Sequence, residues 1–355
     1  MNRYSKMFLS LLLASAAAFF IFGITAGQAF AVFQDDADEE EVGYTEEEYE
    51  AWEAADKEAD IVKSGAMLIE FIKENPKSEL SPYAEGSYMR LLNRCVEEKK
   101  YQELETLAEQ WNAFKPGDDN IVRMVAVSAK ELKHTEKYIQ ALEEIYKKTP
   151  DLNFAKELAA LYEEMKNDDK YIEWILIVMK SPEEASNFLL HYKLYQHYSA
   201  KKDSAKTLEY AQSTLKAIDQ TKNPPADVAK NLPDIRQSLN HYIGAMYLTE
   251  KKYDNAITYF LNALKAKKYA DGYYQIAQCL SMQDKPRNAI YAYAKAQQQG
   301  ESAQASAADK AVAPRAKDRM ETVYKALQNN TLVGIQNRYK RAQEMSDEDL
   351  IKPED

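Results

Sequence analysis

Apolar side chains recur at spacings of three and four through most of the chain, which places them on one face of a helix. The apolar runs come in pairs separated by a few polar residues, the pattern of a helical hairpin. Hairpins are predicted near 45–76, 82–116, 119–150, 151–182, 184–218, 236–269 and 270–298. The first opens with Thr45-x-x-Glu48, the signature of a capping box. Pro76, Pro116, Pro150 and Pro182, separated by 40, 34 and 32 residues, each close an apolar segment. Proline suits that place because it cannot continue a helix but fits the turn into the next one. Several second helices open with a lysine-tyrosine pair: Lys100-Tyr101, Lys137-Tyr138, Lys170-Tyr171 and Lys252-Tyr253.

The pairs also resemble one another in sequence. Sliding IGAMYLTEKKYDNAITYFLNAL onto IAQCLSMQDKPRNAIYAYAKAQ by 33 residues aligns Gly244 with Ala277, Tyr247 with Leu280 and Ala256 with Ala289. It also aligns Phe260 with Tyr293 and Ala263 with Ala296. A small residue on the first helix lets the second approach closely, and the large residues fill the space beside the crossing. One hairpin cannot bury its apolar face alone, so neighbours must stack on it. These positions resemble the tetratricopeptide repeat, whose signature runs W-L-G-Y…A…F…A…P over about 34 residues; Asn240 stands where the signature has Trp. The match is weaker earlier in the chain. Ala129, Leu132, Ala141 and Ile145 keep the alternation of small and large, and the fifth pair keeps Tyr198 and Ala211 but has Thr207 where Ala is expected, predicting a looser crossing.

The resemblance implies an all-α fold, a right-handed superhelical solenoid of antiparallel helix hairpins without strands. Its expected divisions are degenerate hairpins over 45–218, a proline-containing insertion at 219–235 forming a long turn or short helix, and two clear units over 236–298. A small, polar, loosely ordered connector at 299–313 then leads to capping helices at 314–345 and a tail at 346–355.

Composition agrees. The 355 residues include only 10 Gly and 11 Pro, about half the usual ~7% and ~5%. So few backbone breakers exclude an all-β or collagen-like chain, and two cysteines in 355 residues exclude a disulfide-stapled one.

The first 34 residues carry two positive charges, Arg3 and Lys6, and no residue from Met7 to Phe33 is charged. With Ala29-Phe30-Ala31 closing the apolar run, residues 1–31 read as a secretory signal peptide, with a mature chain beginning at Val32 and an exported, cell-envelope location in a bacterium. The competing reading is a retained membrane anchor, since the run exceeds the ~20 residues that span a bilayer. Residues 32–44 read as an acidic, disordered spacer. Fourteen acids against Lys57 between residues 35 and 60 account for the net charge of −11, and the remainder of the chain is balanced. A balanced chain lacks the basic face that nucleic acid requires, so no nucleic-acid partner is expected. Cys95 and Cys279 fall in apolar helical patterns of different hairpins and read as two free, packed thiols.

No catalytic chemistry emerges. The four histidines, His134, His191, His197 and His241, form no H-E-x-x-H, and two distant cysteines form no zinc pair. Walker A, dinucleotide and nucleophile-elbow strings are absent. Neither a catalytic residue nor a cofactor or metal site is expected, and the chain reads as a non-catalytic scaffold for a protein or peptide partner. In tetratricopeptide proteins the inner face of the first helices commonly lines a partner groove. Taking Ala256 and Ala289 as equivalent, the resemblance places Tyr192, Lys193 and Gln196, His241, Tyr242 and Ala245, and Tyr274, Gln275 and Gln278 on that face. Only Lys193 is basic, so the charged clamp of chaperone-tail binders is missing. Tyr192, Tyr242 and Tyr274 are expected to point into the concave side.

Overall fold

A computed structural model describes residues 43–352, and every regular element among them is helical. The chain divides into two compact units, through Ser181 and from Pro182. The expected signal peptide or anchor and nearly all of the acidic spacer lie outside the described residues. No helix among the described residues is long and apolar enough to cross a membrane.

The first unit holds four hairpins. They are α1 (Glu46–Lys57) with α2 (Ile61–Glu74), α3 (Ser81–Glu97) with α4 (Tyr101–Phe114), α5 (Asp119–Glu131) with α6 (Thr135–Lys148), and α7 (Leu152–Glu164) with α8 (Asp168–Val178). Five of the eight helix starts are set by short polar side chains that accept the first free backbone N–H groups. Thr45 and Glu48 form the expected capping box, with Glu48 N donating to Thr45 Oγ1 at 3.1 Å and Thr45 N to Glu48 Oε2 at 3.0 Å. Asp60, Asp118, Asp151 and Asn167 cap α2, α5, α7 and α8. Pro76, Pro116 and Pro150 each sit two residues beyond the second helix of a hairpin.

The core of this unit is tightest where α2 meets α4: a Cβ on Gly65 would lie 2.3 Å from Leu107 Cδ2. Trp111 and Tyr88 are buried with ring centroids 4.6 Å apart, and the Tyr88 hydroxyl donates to the Leu107 carbonyl at 2.7 Å.

The second unit begins with α9 (Phe188–Ala200) and α10 (Ser204–Gln220), followed by the short α11 (Ala226–Ala229) in the proline-containing insertion. Two further pairs follow, α12 (Leu232–Thr249) with α13 (Tyr253–Ala266) and α14 (Ala270–Met282) with α15 (Pro286–Glu301). Pro233 and Pro286 open α12 and α15, where the missing N–H costs nothing. The repeat positions are core: Gly244, Ala256, Phe260, Ala263, Ala277, Leu280, Ala289, Tyr293 and Ala296 are all buried. A Cβ on Gly244 would meet the Phe260 ring at 2.9 Å, so the small residue sets how closely α12 and α13 cross. Tyr247 is half-buried and stacks on Tyr259 with centroids 5.4 Å apart. Thr207 is buried as well, its hydroxyl satisfied inside its own helix by the Asp203 carbonyl at 2.6 Å.

All hairpin turns but the first share one backbone geometry. Lys99, Lys133, Lys166, Lys202, Lys251 and Asp284 each take a left-handed conformation with φ between 57° and 60°. At each, the following N–H bonds to the carbonyl five residues back, as from Lys100 to Cys95 at 2.8 Å and from Lys285 to Leu280 at 2.9 Å. This is the Schellman closure, usually built on glycine. The lysine-tyrosine pairs do not share one position. Lys100-Tyr101 and Lys252-Tyr253 open α4 and α13, whereas Lys137-Tyr138 and Lys170-Tyr171 lie nearly one turn inside α6 and α8, with Tyr138 and Tyr171 buried.

Two expectations need correction. The connector at 299–313 is helical for two thirds of its length: α15 runs through Glu301, and α16 (Ala307–Leu327) starts with a Ser306–Asp309 capping box and packs along α15. Its small residues are small because of that contact, since a Cβ on Gly300 would lie 2.4 Å from the Asp309 carbonyl oxygen and 2.8 Å from Ala313 Cβ. Pro314 lies inside α16, where its ring cannot donate the helical hydrogen bond. After α17 (Ile335–Glu344), the tail does not trail away either; Glu348–Ile351 forms a 3-10 turn against α15, with Leu350 fully buried.

Candidate partner-binding surface

Asn187 caps α9 through Leu189 N, and the helix then presents aromatic side chains around much of its circumference. Tyr192 and Tyr195, three positions apart, fall on one face. Their rings stack with centroids 5.8 Å apart and planes 18° from parallel. Tyr242, from α12, meets Tyr195 edge-on at 5.8 Å and 76°. The three rings form a continuous half-buried wall contributed by the first helices of two successive hairpins. Lys193 is half-buried on α9 and Gln196 is exposed one residue past Tyr195. Burial pushes the Tyr195 hydroxyl up to about 12. Rings with a polar edge bury much area with little rotamer loss, and they suit contact with a partner.

His241 adjoins Tyr242 on α12 but turns inward. Its Nδ1 lies 2.8 Å from the Tyr269 hydroxyl, its Nε2 3.6 Å from Asp271, and its ring 5.5 Å from Phe260. Burial lowers its pKa, opposed only in part by Asp271.

The remaining candidates are placed differently. Tyr274 does not point into an open groove: it is 3% exposed, edge-on to Tyr293 at 5.4 Å, with the Arg315 guanidinium 4.9 Å from its ring centroid. The physical reason is α16, which supplies Arg315 and covers the ring. Gln275 is half-buried, reaching Asp271 on its own helix at 3.4 Å, and Gln278 and Ala245 are half-buried. The structure thus joins Tyr192 to Tyr242 and separates Tyr274 from both. Tyr195, which links them, escaped the repeat-position argument. The signal that could have found it is its three-residue spacing from Tyr192.

Among the described residues no group of three or more His, Cys, Asp or Glu side chains could hold a metal ion. Cys95 and Cys279 are free and buried; burial pushes both thiols up, Cys279 to about 12.

No family model matches the chain, and no curated protein matches it. Solved structures do align with it. A tetratricopeptide protein from Parabacteroides merdae aligns at 13% identity and a TM-score of 0.26, over 76% of this chain and 96% of its own. The C-terminal part of a repeat protein from Cytophaga hutchinsonii aligns at 14% and 0.30, over 74% and 99%. The pilF protein of Pseudomonas aeruginosa aligns at 11% and 0.28, over 73% and 96%. Superpositions this loose add no argument, and the architecture rests on the hairpins themselves. The described residues form an all-α array of tetratricopeptide-like helix hairpins.

Proposed function

We propose that the chain is a non-catalytic tetratricopeptide scaffold of the bacterial cell envelope that binds a protein or peptide partner, without a cofactor and without nucleic acid. The Tyr192–Tyr195–Tyr242 wall carries this reading, because three adjoining, half-buried rings on the first helices of two hairpins form one continuous aromatic surface. Lys193 and Gln196 beside it supply polar contacts for an extended backbone. The proposed location rests on the basic start, the apolar run and the Ala29-Phe30-Ala31 site. Affinity capture from native envelope with the full chain, compared quantitatively with Tyr192→Ala/Tyr242→Ala, tests the reading. Loss of one specific captured protein in the double variant supports it, and identical capture by both removes the wall from consideration.

A second reading retains the N-terminal segment as an anchor and makes the chain a membrane-tethered assembly or quality-control factor. The uncharged run from Met7 to Phe33 favours it. Mass spectrometry of the mature N-terminus separates the two: a start at Val32 supports export with cleavage. An intact Met1 peptide resisting alkaline extraction from membranes supports the anchor.

A further inference from the structure

The segment Ser346–Lys352 sits on the second unit as a peptide sits in a receptor. Asp347, 12% exposed at its side chain, accepts a hydrogen bond from the Tyr273 hydroxyl at 2.8 Å and forms an ion pair with Lys268. Leu350 is fully buried against α15. The Asn288 side-chain amide, itself 7% exposed, clasps the backbone by donating to the carbonyls of Leu350 at 2.9 Å and Lys352 at 2.7 Å. Lys265 lies 3.9 Å from Glu348, and the Lys295 ammonium lies 5.8 Å from the Tyr273 ring centroid, so the receiving surface is basic where the segment is acidic. The segment also holds its own shape: Ser346 Oγ donates to Asp349 at 2.7 Å and accepts from Asp349 N at 3.2 Å, closing the 3-10 turn.

Two side chains and two backbone carbonyls are therefore read at once: an aspartate by a lysine and a tyrosine, a leucine three residues later by an apolar socket, and the main chain by an asparagine. We propose that this surface is a recognition site for acidic segments of the form Asp-x-x-Leu, with residues 346–352 as its tethered occupant, displaced by a partner protein presenting the same pattern. The site lies apart from the tyrosine wall and stands independently of it. A short tether holds its segment at an effective concentration on the order of mM. A free peptide is therefore nearly excluded while the tail is seated and binds once the tail is released.

The probe is a labelled peptide of sequence SDEDLIKPED, titrated against the full chain and against the full chain carrying Asp347→Ala and Leu350→Ala. The double variant should bind the peptide at least tenfold more tightly than the unaltered chain. Adding Lys268→Glu, or changing the peptide's leucine to alanine, should abolish that binding. Equal affinity of variant and unaltered chain, or indifference to the leucine, overturns the proposal. Hydrogen exchange on the unaltered chain decides the matter if the variant fails to fold. Amides of 348–352 should exchange faster than those of α14 and α15; exchange as slow as the helices would make the segment a fixed part of the core and overturn the proposal.

Discussion

Between α6 and α7, in the first unit, Tyr138 donates to Glu157 at 2.6 Å and Tyr162 donates back to Glu143 at 2.8 Å. Between α15 and α16, in the second unit, the contact is Gly300 against the Asp309 backbone and Ala313. The contrast extends beyond these pairs. The buried Glu105 on α4 is held by His134 at 3.0 Å and Lys137 at 3.2 Å, and Lys148 reaches Asp119 at 2.6 Å. In the second unit α15 buries Ala289, Ala292, Ala294 and Ala296 in succession with three aromatic or branched residues between them. One architecture is thus closed in two ways, by polar cross-links within and between hairpins and by small residues that let helices touch. Polar closure tolerates changes in volume, whereas small-residue closure does not.

The largest expected effect comes from enlarging a crossing. Ala256 is fully buried where α13 crosses α12, and Ala256→Trp should destabilise the second unit by about 3 kcal/mol or more. Hydrogen exchange should show lost protection in α12–α15 and an unaltered first unit; wild-type melting would mean that the crossing is placed at the wrong residue. A smaller loss follows from removing both cross-linking carboxylates. Glu143→Ala with Glu157→Ala removes the acceptors of the Tyr138 and Tyr162 hydroxyls, at about 1 kcal/mol for each of these part-buried hydrogen bonds. The loss should be confined to the first unit.

Acid should weaken the units in opposite order to what their charge content suggests. Burial would raise the Glu105 carboxyl, but hydrogen bonds from His134 and Lys137 outweigh it and hold its pKa below the ordinary glutamate value. Its contribution is present above the unfolded pKa of about 4.3 and is lost only as pH falls through the lower folded value. His241 in the second unit is held neutral by burial, with a folded pKa below the unfolded value of about 6.5. The unfolded chain therefore takes that proton first, and the second unit should lose stability from about pH 6.5 downward. Exchange measured at pH 7, 5.5 and 4 should show the second unit loosening first. Simultaneous loosening would erase the contrast.

The smallest effect should be the same in both units, because the turns are the same. Lys99→Gly and Lys251→Gly each relieve a non-glycine residue in the left-handed region, and each should add about 0.5–1 kcal/mol. Unequal gains would show that the turns carry different loads.

The helix hairpins were legible in the sequence because the pattern that specifies them is local: apolar spacing of three and four, Thr45 with Glu48, a proline after each second helix of the first unit. The repeat alignment likewise identified the close crossing of Gly244 with Phe260. What escaped was anything decided by a distant covering element. Tyr274 occupies a groove position by repeat number, yet α16 lies over it. The alanines of 305–313 look like low-complexity linker in sequence, and only the glycine across the contact shows why they are small. The identity of the tail's receptor, Lys268, Tyr273 and Asn288, is spread over residues separated from the tail residues they hold by more than sixty positions, beyond the reach of any spacing rule.

The central claim is that the rings of Tyr195 and Tyr242 form a contact surface while Tyr274 is core. Comparing Tyr195→Ala/Tyr242→Ala with Tyr274→Ala, each assayed for partner capture and for melting temperature, tests it directly. The double variant should lose capture at least tenfold while its melting temperature stays within about 2 °C of wild type, and Tyr274→Ala should lower it by more than about 4 °C, as expected for a large buried side chain. Undiminished capture by the double variant, or a melting temperature lowered as far as in Tyr274→Ala, would contradict the account.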